Sequence, residues 1–457
     1  MQLLIDRIVE RVGHDRVLTG DAVRERATSL WNSAPNPAAA ILLPRSTAEV
    51  SEMLRLCHEA RQTVITQGGL TGVVAGADPL GTDVALSMEK MNRIVEVDPV
   101  DAVAVVEAGA VLQTVQETVE DRGLYFPLDL GARGSCTIGG NVATNAGGVN
   151  VFRYGMMRNL VLGLEAVLAD GTVISSMNRM LKNNAGYDLK QLFIGTEGTL
   201  GVVTRVVVRL FRKSSSRQDA LVAMDSFDAV VDFLALLQTG LGGNLSAFEI
   251  MWGDYYRAVT GDDGHRSPLA RDYPYYVVVE AEGGESATDD ERFEAVLGDA
   301  LQKELIVDAI IAQSAREAGD IWKVREDFEA VLEPSPCYLY DVSLPIRHME
   351  EYVDDVRHRM LGLWPDAALY TLGHVADGNL HFFLRPNLSG DLHGPADRCV
   401  YEPLARYQGS VSAEHGIGLE KRNWLSQCRS DAEIELMKRM KASLDPQNLL
   451  NPGRVVA

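Results

Sequence analysis

Residues 127–151 read PLDLGARGSCTIGGNVATNAGGVNV. The stretch is rich in glycine, serine, threonine and asparagine, and it contains the pairs Gly139-Gly140 and Gly147-Gly148. Such a composition cannot build a hydrophobic core, but glycine admits positive φ and leaves no Cβ between the backbone and a ligand. Amide and hydroxyl side chains stand between the pairs, which favours a shaped backbone over a flexible loop. We therefore expect backbone N–H groups here to approach a flat or anionic ligand.

Two further glycine-rich segments flank this stretch, QGGLTG at 67–72 and GTEGTLG at 195–201. None of the three has the GxxxxGK[ST] spacing of a nucleotide P-loop or the GxGxxG of a dinucleotide fold. Each lies next to a strand-like segment. Three such loops indicate an extended cofactor that is held along its length.

The composition is that of a globular protein with two or three domains: 457 residues, 46% hydrophobic and 23% charged. The net charge of −21 argues against nucleic acid or an anionic membrane surface as a partner. An anionic substrate would therefore need a local basic pocket. The five cysteines are scattered without a CxxC pair, which indicates reduced thiols. The N-terminus lacks the pattern of a signal peptide and no long apolar run occurs, so we expect a cytoplasmic protein without a membrane span.

The order of predicted elements indicates the α+β class. Residues 1–213 alternate short strands and helices around the glycine loops, and the segment RKSSSR at 212–217 predicts a domain boundary. From 218 to 430, helices alternate with strands in the pattern of an antiparallel sheet with helices on one face. A last helix is predicted over 433–444, before Asp445-Pro446 breaks it.

A pair of histidines marks a candidate metal site. Residues 369–384, LYTLGHVADGNLHFFL, predict two strands joined by an Asp-Gly turn. With a two-residue turn, His374 would face His381 with Cβ atoms about 5 Å apart, near enough for two imidazoles to share a divalent ion. The segment SAEHG at 412–416 places a carboxylate beside an imidazole and could supply a third ligand. From this pattern alone, a metal site and a pair of surface histidines are both open.

Together these segments resemble a known family. The QGGLTG loop, SCTIGGNVATNAGG, NNAGYDLKQLFIGTEGTLGVVT and the closing NPGR are similar, in that order, to the vanillyl-alcohol-oxidase/PCMH flavoproteins. GHVADGNLH followed by SAEHG resembles their D-2-hydroxyglutarate and D-lactate dehydrogenase branch. The resemblance implies an N-terminal segment and PCMH-type two-part FAD-binding domain at 1–213, and a substrate and metal-binding domain at 218–430, whose antiparallel sheet is covered by helices. It also implies that residues 431–457 return to the FAD domain.

The resemblance implies FAD as the cofactor, and a non-covalent one, because the first glycine loop has no histidine that could tether it. That loop would hold the pyrophosphate, and the other loops the ring and the adenine end. By position in the family motifs, the expected FAD contacts are Pro44, Gln67, Gly68, Gly69, Leu70, Thr71, Gly72, Pro127, Asp129, Cys136, Thr137, Gly139, Gly140, Asn141, Thr144, Asn145, Gly148, Gly198, Val203 and Asn451.

For the second domain, the resemblance implies the metal ligands His374, His381 and Glu414, with His415 as the catalytic base. Zinc suits two imidazoles and one carboxylate best, and manganese or iron are the alternatives. The implied reaction oxidises a D-2-hydroxy acid to the 2-oxo acid, with hydride transfer to flavin N5.

Arg325 matches the arginine that binds the substrate carboxylate in this branch; the competing interpretation is an exposed helix arginine paired with Glu329. Three positions depart from the hydroxyglutarate pattern. Where those enzymes have a threonine, a lysine and an asparagine, this chain has Glu329, Leu339 and Phe383. The changes remove groups that could hold a distal carboxylate, and they predict a preference for D-lactate or longer apolar 2-hydroxy acids. The overall likeness to the hydroxyglutarate enzymes points the other way.

The partners implied are a small-molecule 2-hydroxy acid and an electron acceptor such as an electron-transfer flavoprotein or a quinone. The family also allows a homodimer. Two other functions compete with the dehydrogenase. One is a metal-independent flavin oxidase or synthase of the same fold, and the other is a flavin subunit of a glycolate-oxidase-type complex.

Overall fold

A computed structural model describes residues 1–29, 32, 34–261, 264–333 and 336–456. Its helices are α1 (Gln2–Val12), α2 (Asp21–Arg24), α3 (Thr47–Glu59), α4 (Leu112–Glu120), α5 (Ile138–Thr144), α6 (Val151–Tyr154), α7 (Met157–Leu160), α8 (Phe227–Gly240), α9 (Gly253–Val259), α10 (Ser286–Gln302), α11 (Ala315–Glu326), α12 (Glu329–Leu332), α13 (Met349–Leu363), α14 (His393–Tyr401) and α15 (Asp431–Leu444). Short 3-10 segments cover His14–Arg16, Met88–Lys90, Leu189–Leu192, Ile346–His348, Val375–Asp377, Glu402–Tyr407 and Arg422–Gln427.

The strands are β1 (Val17–Leu18), β2 (Ala40–Leu42), β3 (Val64–Gln67), β4 (Val84–Ser87), β5 (Ile94–Asp98), β6 (Val103–Glu107), β7 (Leu124–Tyr125), β8 (Val161–Val167), β9 (Val173–Ser176), β10 (Val202–Arg209), β11 (Phe211–Arg212), β12 (Ser216–Met224), β13 (Leu245–Trp252), β14 (Tyr275–Gly283), β15 (Asp308–Ile311), β16 (Tyr338–Ser343), β17 (Ala368–His374) and β18 (Asn379–Arg385). Among the described residues, no helix combines the length and apolar character that a membrane crossing requires.

The chain forms two compact units. The first unit comprises residues 1–147, 154–213 and 414–457, and the second comprises 148–153 and 214–413. The segment that the sequence suggested as a linker contains little irregular chain. In it β11 ends at Arg212 and β12 already begins at Ser216.

The first unit contains two main sheets. In the order β1-β2-β4-β3, strands β2, β4 and β3 run parallel and β1 is antiparallel to β2. The second sheet, β5-β6-β10-β8-β9, is antiparallel throughout. Helix α3 starts at Thr47, because Ser46 Oγ accepts a hydrogen bond from Glu49 N at 3.2 Å and caps its first turn.

Part of the central glycine-rich stretch is helical, and this differs from the expected loop. Residues Ile138–Thr144 form α5, and Thr137 Oγ1 caps it by accepting from Gly140 N at 3.4 Å. Two adjacent glycines normally disfavour a helix. Here close packing requires one of them, since a Cβ on Gly139 would lie 2.6 Å from the Cβ of Ala108.

The first glycine loop packs directly on the central stretch. A Cβ on Gly69 would lie 2.1 Å from the carbonyl oxygen of Ser135, and one on Gly68 would lie 2.6 Å from Thr137 Oγ1. Neither distance can be accommodated without a shift of the backbone or the cap. Glycine at both positions is therefore required for the two segments to approach each other.

The second unit is built on one sheet in the order β15-β12-β14-β13-β17-β18-β16, in which every neighbouring pair is antiparallel. One face packs against α9 and α11, whose buried residues form a cluster with β12, β13 and β14. On the other face, Phe233 of α8 lies 6.0 Å from Phe248 and Tyr352 of α13 lies 5.8 Å from Phe382, ring centre to ring centre. Helices thus cover both faces, and the expectation of one covered face was wrong.

We predict that Gly69→Ala lowers the free energy of unfolding by about 1–3 kcal/mol, the usual cost of overpacking, and weakens FAD binding. Gly131→Ala is the matched control in the central stretch, since nothing lies within 4 Å of a Cβ at that position. Urea unfolding and the ratio of bound FAD to protein check both variants. Equal stability of the two would contradict the close packing of the loops.

Candidate active site

The first glycine loop has the donors that a diphosphate needs. Among the described residues, no hydrogen-bond acceptor is found for the backbone N–H groups of Gly68, Gly69, Leu70, Thr71 and Gly72. Leu70 adopts a left-handed φ of 57°. Consecutive unpaired N–H groups in such a turn form an anion-binding concavity. The loop therefore fits the pyrophosphate of FAD.

Several of the predicted FAD contacts on the central stretch are buried or form contacts within and at the ends of α5. Cys136 and Asn141 are buried, and Asn141 Nδ2 lies 3.6 Å from Cys136 Sγ. Burial raises the pKa of the Cys136 thiol to about 11. Thr144 Oγ1 donates to Gly140 O at 3.1 Å, and Asn145 ends the helix in a left-handed conformation.

The remaining predicted FAD contacts are spread more widely. Pro44 is buried just after β2, and Val203 is buried in β10 opposite Ala166. Pro127 is buried, whereas Asp129 is partly exposed and accepts a hydrogen bond from Arg133 at 2.8 Å. Gly148 belongs to the second unit. Their roles toward FAD stay predictions.

Asn451 ties the C-terminal segment to two of the glycine loops. Its Oδ1 accepts from Thr66 N at 2.8 Å, at the end of β3, and its Nδ2 donates to Glu197 O at 2.5 Å. A Cβ on Gly198 would lie 2.8 Å from Asn451 Nδ2, so glycine is needed for this approach. The third loop also bonds to α5, because Glu197 N donates to Ala143 O at 2.8 Å. The first unit thus brings all three glycine loops and Asn451 together.

In the second unit, the histidine hairpin differs in register from the expectation. Leu372, not His374, lies opposite His381, because the connection is a 3-10 turn over Val375–Asp377 followed by Gly378 with φ 88°. The expected two-residue turn was therefore wrong, and the pairing of β17 with β18 is shifted by two residues from the expected one. Since side chains alternate with a period of two, both imidazoles still lie on one face. Their ring centres are 5.3 Å apart.

Glu249 is the central acidic residue of this site, and the sequence interpretation missed it. It lies on β13 directly opposite His374 and is only 1% exposed. Its Oε1 lies 2.6 Å from His374 Nδ1. Burial raises the pKa of Glu249, but His374 and Arg325 outweigh that effect and hold the pKa below its ordinary value. An ionised carboxylate only accepts, so His374 Nδ1 carries a proton, and in the neutral ring Nε2 is then the unprotonated nitrogen, which could bind a metal.

Arg325 shares the same carboxylate. It is 8% exposed, and its Nη2 lies 2.7 Å from Glu249 Oε2. The contact has the distance of an ion pair but not the alignment of a hydrogen bond, and within the described chain Arg325 Nε and Nη2 have no hydrogen-bond acceptor. The interpretation of Arg325 as an exposed arginine paired with Glu329 was therefore wrong. A buried guanidinium whose Nε has no acceptor among the described residues fits a carboxylate ligand.

Asp341 lies directly opposite His381 in the β16–β18 pair and is fully buried. It accepts hydrogen bonds from Asn379 Nδ2 at 2.8 Å, Ser412 Oγ at 3.2 Å and Ala413 N at 3.0 Å. These bonds hold the backbone immediately before Glu414 and His415. The roles of Glu414 as a ligand and His415 as the base stay predictions.

The predicted substrate-tail positions lie on or beside the same sheet. Leu339 and Phe383 face each other across β16 and β18, and Phe383 stacks on Phe328 with ring centres 6.0 Å apart. Phe383 lies two residues beyond His381 and therefore on the same face. Glu329 starts α12 and is exposed.

A sequence signal for Glu249 existed, although no strand was predicted there. The segment LSAFEIMW at 245–252 is apolar except for one serine and one glutamate. A single acidic residue within an apolar strand is almost never fully buried unless it is paired. Such a residue is a functional candidate even without a motif.

Two family signatures match the chain. The signature described as the FAD binding domain matches residues 38–176, and that of the FAD linked oxidases, C-terminal domain, matches residues 213–455. The first match confirms the prediction of an FAD-binding domain.

Curated relatives match nearly the whole chain. The mitochondrial D-2-hydroxyglutarate dehydrogenase of Bos taurus is 40% identical over 98% of this chain and 82% of its own length. That of Arabidopsis thaliana is 38% identical over 98% and 80%, respectively. The D-2-hydroxyglutarate dehydrogenase of Stutzerimonas stutzeri is 34% identical over 99% of both chains.

Solved structures confirm the PCMH-type α+β fold. An alkyldihydroxyacetonephosphate synthase superposes with a TM-score of 0.76 and 16% identity, covering 99% of this chain and 84% of its own. A p-cresol methylhydroxylase with bound substrate superposes with a TM-score of 0.75 and 16% identity, covering 100% and 96%. At this identity the likeness extends to the fold alone.

We predict that Glu249→Ala lowers the free energy of unfolding by about 3–5 kcal/mol, because Arg325 and His374 would stay buried without their shared acceptor. Glu96→Ala is the control. Glu96 pairs with Arg179, but both side chains are more than a third exposed, so the loss of stability should be much smaller. Chemical denaturation at neutral pH checks both, and equal losses would refute a special role for the buried pair.

Proposed function

Because the chain belongs to the FAD-linked oxidase family, we propose that it is an FAD- and divalent-metal-dependent dehydrogenase that oxidises a D-2-hydroxy acid to the 2-oxo acid. One observation carries the proposal. The buried carboxylate of Glu249 orients His374 on one side and Arg325 on the other, beside a second imidazole, His381. Two imidazoles suit a divalent metal, which could bind the hydroxyl of a 2-hydroxy acid, and a guanidinium suits its carboxylate. The named activity of the relatives supports the same substrate class.

When bound, FAD accepts a hydride at N5 and a divalent metal lowers the pKa of a coordinated hydroxyl. The residues of this chain supply binding and proton transfer. His374 and His381 would hold the metal, with Glu414 as the further ligand that the family resemblance assigns. Arg325 would bind the substrate carboxylate through its guanidinium, and His415 would take the hydroxyl proton.

The finer features of the proposal are zinc as the metal, non-covalent FAD, and an electron-transfer flavoprotein or a quinone as the acceptor. Zinc follows from two imidazoles and one carboxylate. The tether-free first loop supports non-covalent FAD. Metal analysis of the purified protein separates this enzyme from a metal-independent oxidase or synthase of the same fold.

Removing either proposed imidazole ligand should remove the metal and spare the flavin. For His374→Ala and His381→Ala, we expect loss of metal by elemental analysis, loss of turnover, and full FAD content, since the flavin loops belong to the first unit. His358→Ala, at an exposed position of α13, is the control and should retain metal. His415→Ala should retain metal yet lose about 10²–10⁴-fold in turnover. If His415→Ala loses metal and His381→Ala keeps it, the ligand and the base have been interchanged.

The residues around His381 also bear on the size and charge of the substrate. The distal carboxylate carbon of hydroxyglutarate lies about 4 Å from C2. The next basic residue along β18 after His381 is Arg385, and at the rise of a strand the two backbone positions are about 13 Å apart. Arg385 donates to Glu333 O at 2.6 Å. The position between them is Phe383, in an apolar cluster with Leu339. We propose that the substrate is a D-2-hydroxy monocarboxylate with a short or apolar side chain.

A screen of D- and L-2-hydroxy acids with an artificial acceptor tests the dehydrogenase itself, and only D-acids should be oxidised. Within the D-acids, we expect kcat/KM for D-lactate or D-2-hydroxyisocaproate to exceed that for D-2-hydroxyglutarate by at least tenfold, about 1.4 kcal/mol. Leu339→Lys adds a cation and should therefore reduce the preference for D-lactate or D-2-hydroxyisocaproate over D-2-hydroxyglutarate. The volume-conserving Leu339→Met is its control and should leave that preference unchanged. A tenfold preference of the unaltered protein for hydroxyglutarate would show that the apolar residues do not set the substrate tail.

A further inference from the structure

Glu197, in the third glycine loop, has an unusual backbone. It adopts a left-handed φ of 52° although it is not glycine, between Gly195 at 80° and Gly198 at 73°. Its N–H donates to Ala143 O on α5, and its carbonyl accepts from Asn451 Nδ2. Residues held in such conformations persist only where the surroundings determine them, and they concentrate at functional sites.

The carboxylate of Glu197 points away from that loop to another segment of the first unit. Its Oε1 accepts from Ile417 N at 2.7 Å and its Oε2 accepts from Gly418 N at 2.8 Å. The side chain is 9% exposed. Burial raises the pKa of Glu197, and the two N–H groups oppose that change by stabilising the charged form.

The segment that receives these bonds is closely packed. A Cβ on Gly416 would lie 2.9 Å from Glu197 Oε1, and one on Gly418 would lie 2.0 Å from Val74 O. Leu419 N also donates to Val74 O at 3.0 Å. The residues directly after His415 therefore bond to Glu197 in the third glycine loop and to Val74, which lies just after the first glycine loop.

The same short segment is fixed on its other side. Within the second unit, Ala413 N donates to Asp341 at 3.0 Å. Only three residues separate Ala413 from Ile417, and two of them are Glu414 and His415. Two buried carboxylates thus hold the backbone on both sides of the proposed ligand and base.

We infer that Glu197 is a positioning residue, which fixes Glu414 and His415 relative to the flavin-binding loops. The inference rests on the proposed function for the roles of those two residues. The carboxylate reaches this segment through two backbone N–H groups, those of Ile417 and Gly418. It acts through the backbone, and a displacement of about 1 Å in a reacting group can cost 10²-fold in rate.

The test uses the full-length protein loaded with FAD and Glu197→Gln, which keeps the size of the side chain but offers only one acceptor oxygen. We expect kcat per bound FAD and the single-turnover rate of flavin reduction to fall about 10–100-fold, with KM within threefold, because Arg325 is unaffected. Hydrogen exchange of residues 414–419 should become faster. Glu107→Gln is the matched control, since Glu107 is also buried in the first unit and also accepts from a backbone N–H, that of Arg93 at 2.9 Å.

The possible results distinguish a failure of the positioning role of Glu197 from a failure of the proposed function. If Glu197→Gln loses stability or FAD content like Glu107→Gln but keeps kcat per FAD within twofold, Glu197 is merely structural and the inference is overturned. If the unaltered protein oxidises no 2-hydroxy acid, the proposed function fails, and unchanged exchange of 414–419 in Glu197→Gln would then refute the positioning as well. Should Glu197→Gln not fold, Glu197→Asp replaces it, since the shorter carboxylate reaches only one N–H group and should give an intermediate rate.

Discussion

One buried carboxylate determines the geometry of the candidate site. Glu249 lies between an imidazole and a guanidinium, and removing any one of the three would leave an uncompensated polar group in the interior. Its position on β13 is set by pairing with β14 on one side and β17 on the other. The register of the sheet therefore decides which nitrogen of His374 is protonated and where Arg325 can lie. An imidazole and a guanidinium are oriented by the same two oxygens.

The first unit uses carboxylates in a related way. Glu197 accepts hydrogen bonds from two backbone N–H groups. Asp445 accepts a hydrogen bond from Leu450 N at 2.8 Å, and its Oδ2 also pairs with the ammonium of Lys441. Lys441 in turn donates to Thr199 O at 2.8 Å. Buried N–H groups at loop ends need acceptors, and a carboxylate can satisfy two at once. The irregular loops of the flavin domain are held by a few buried acids and not by regular secondary structure.

The sequence was informative where chemistry depends on a run of neighbouring residues. The glycine loops could be predicted because their cause, the absence of Cβ atoms, is local. The register of the histidine hairpin could not, since a 3-10 turn and a two-residue turn are both compatible with Asp377-Gly378. The two imidazoles nevertheless lie on one face, because an error of two residues preserves the side of a strand. Glu249 could not be found from spacing, because its partners are brought to it only by strand pairing.

The charges beside the two imidazoles bear on the proposed metal. Among the described residues of the second unit, their neighbours include one guanidinium, Arg325, and two carboxylates, Glu249 and Asp341. His374 and Arg325 hold the pKa of Glu249 below its ordinary value, and Asp341 accepts three hydrogen bonds. With both carboxylates ionised and both imidazoles neutral, the sum of these charges is negative, in a chain whose net charge is already −21. A substrate carboxylate entering that field would be repelled, whereas a divalent cation on His374 and His381 reverses its sign. In the proposed function, the ion that would acidify the hydroxyl would also offset the negative charge that opposes binding of an anionic substrate, so the metal and the substrate carboxylate would meet one electrostatic requirement.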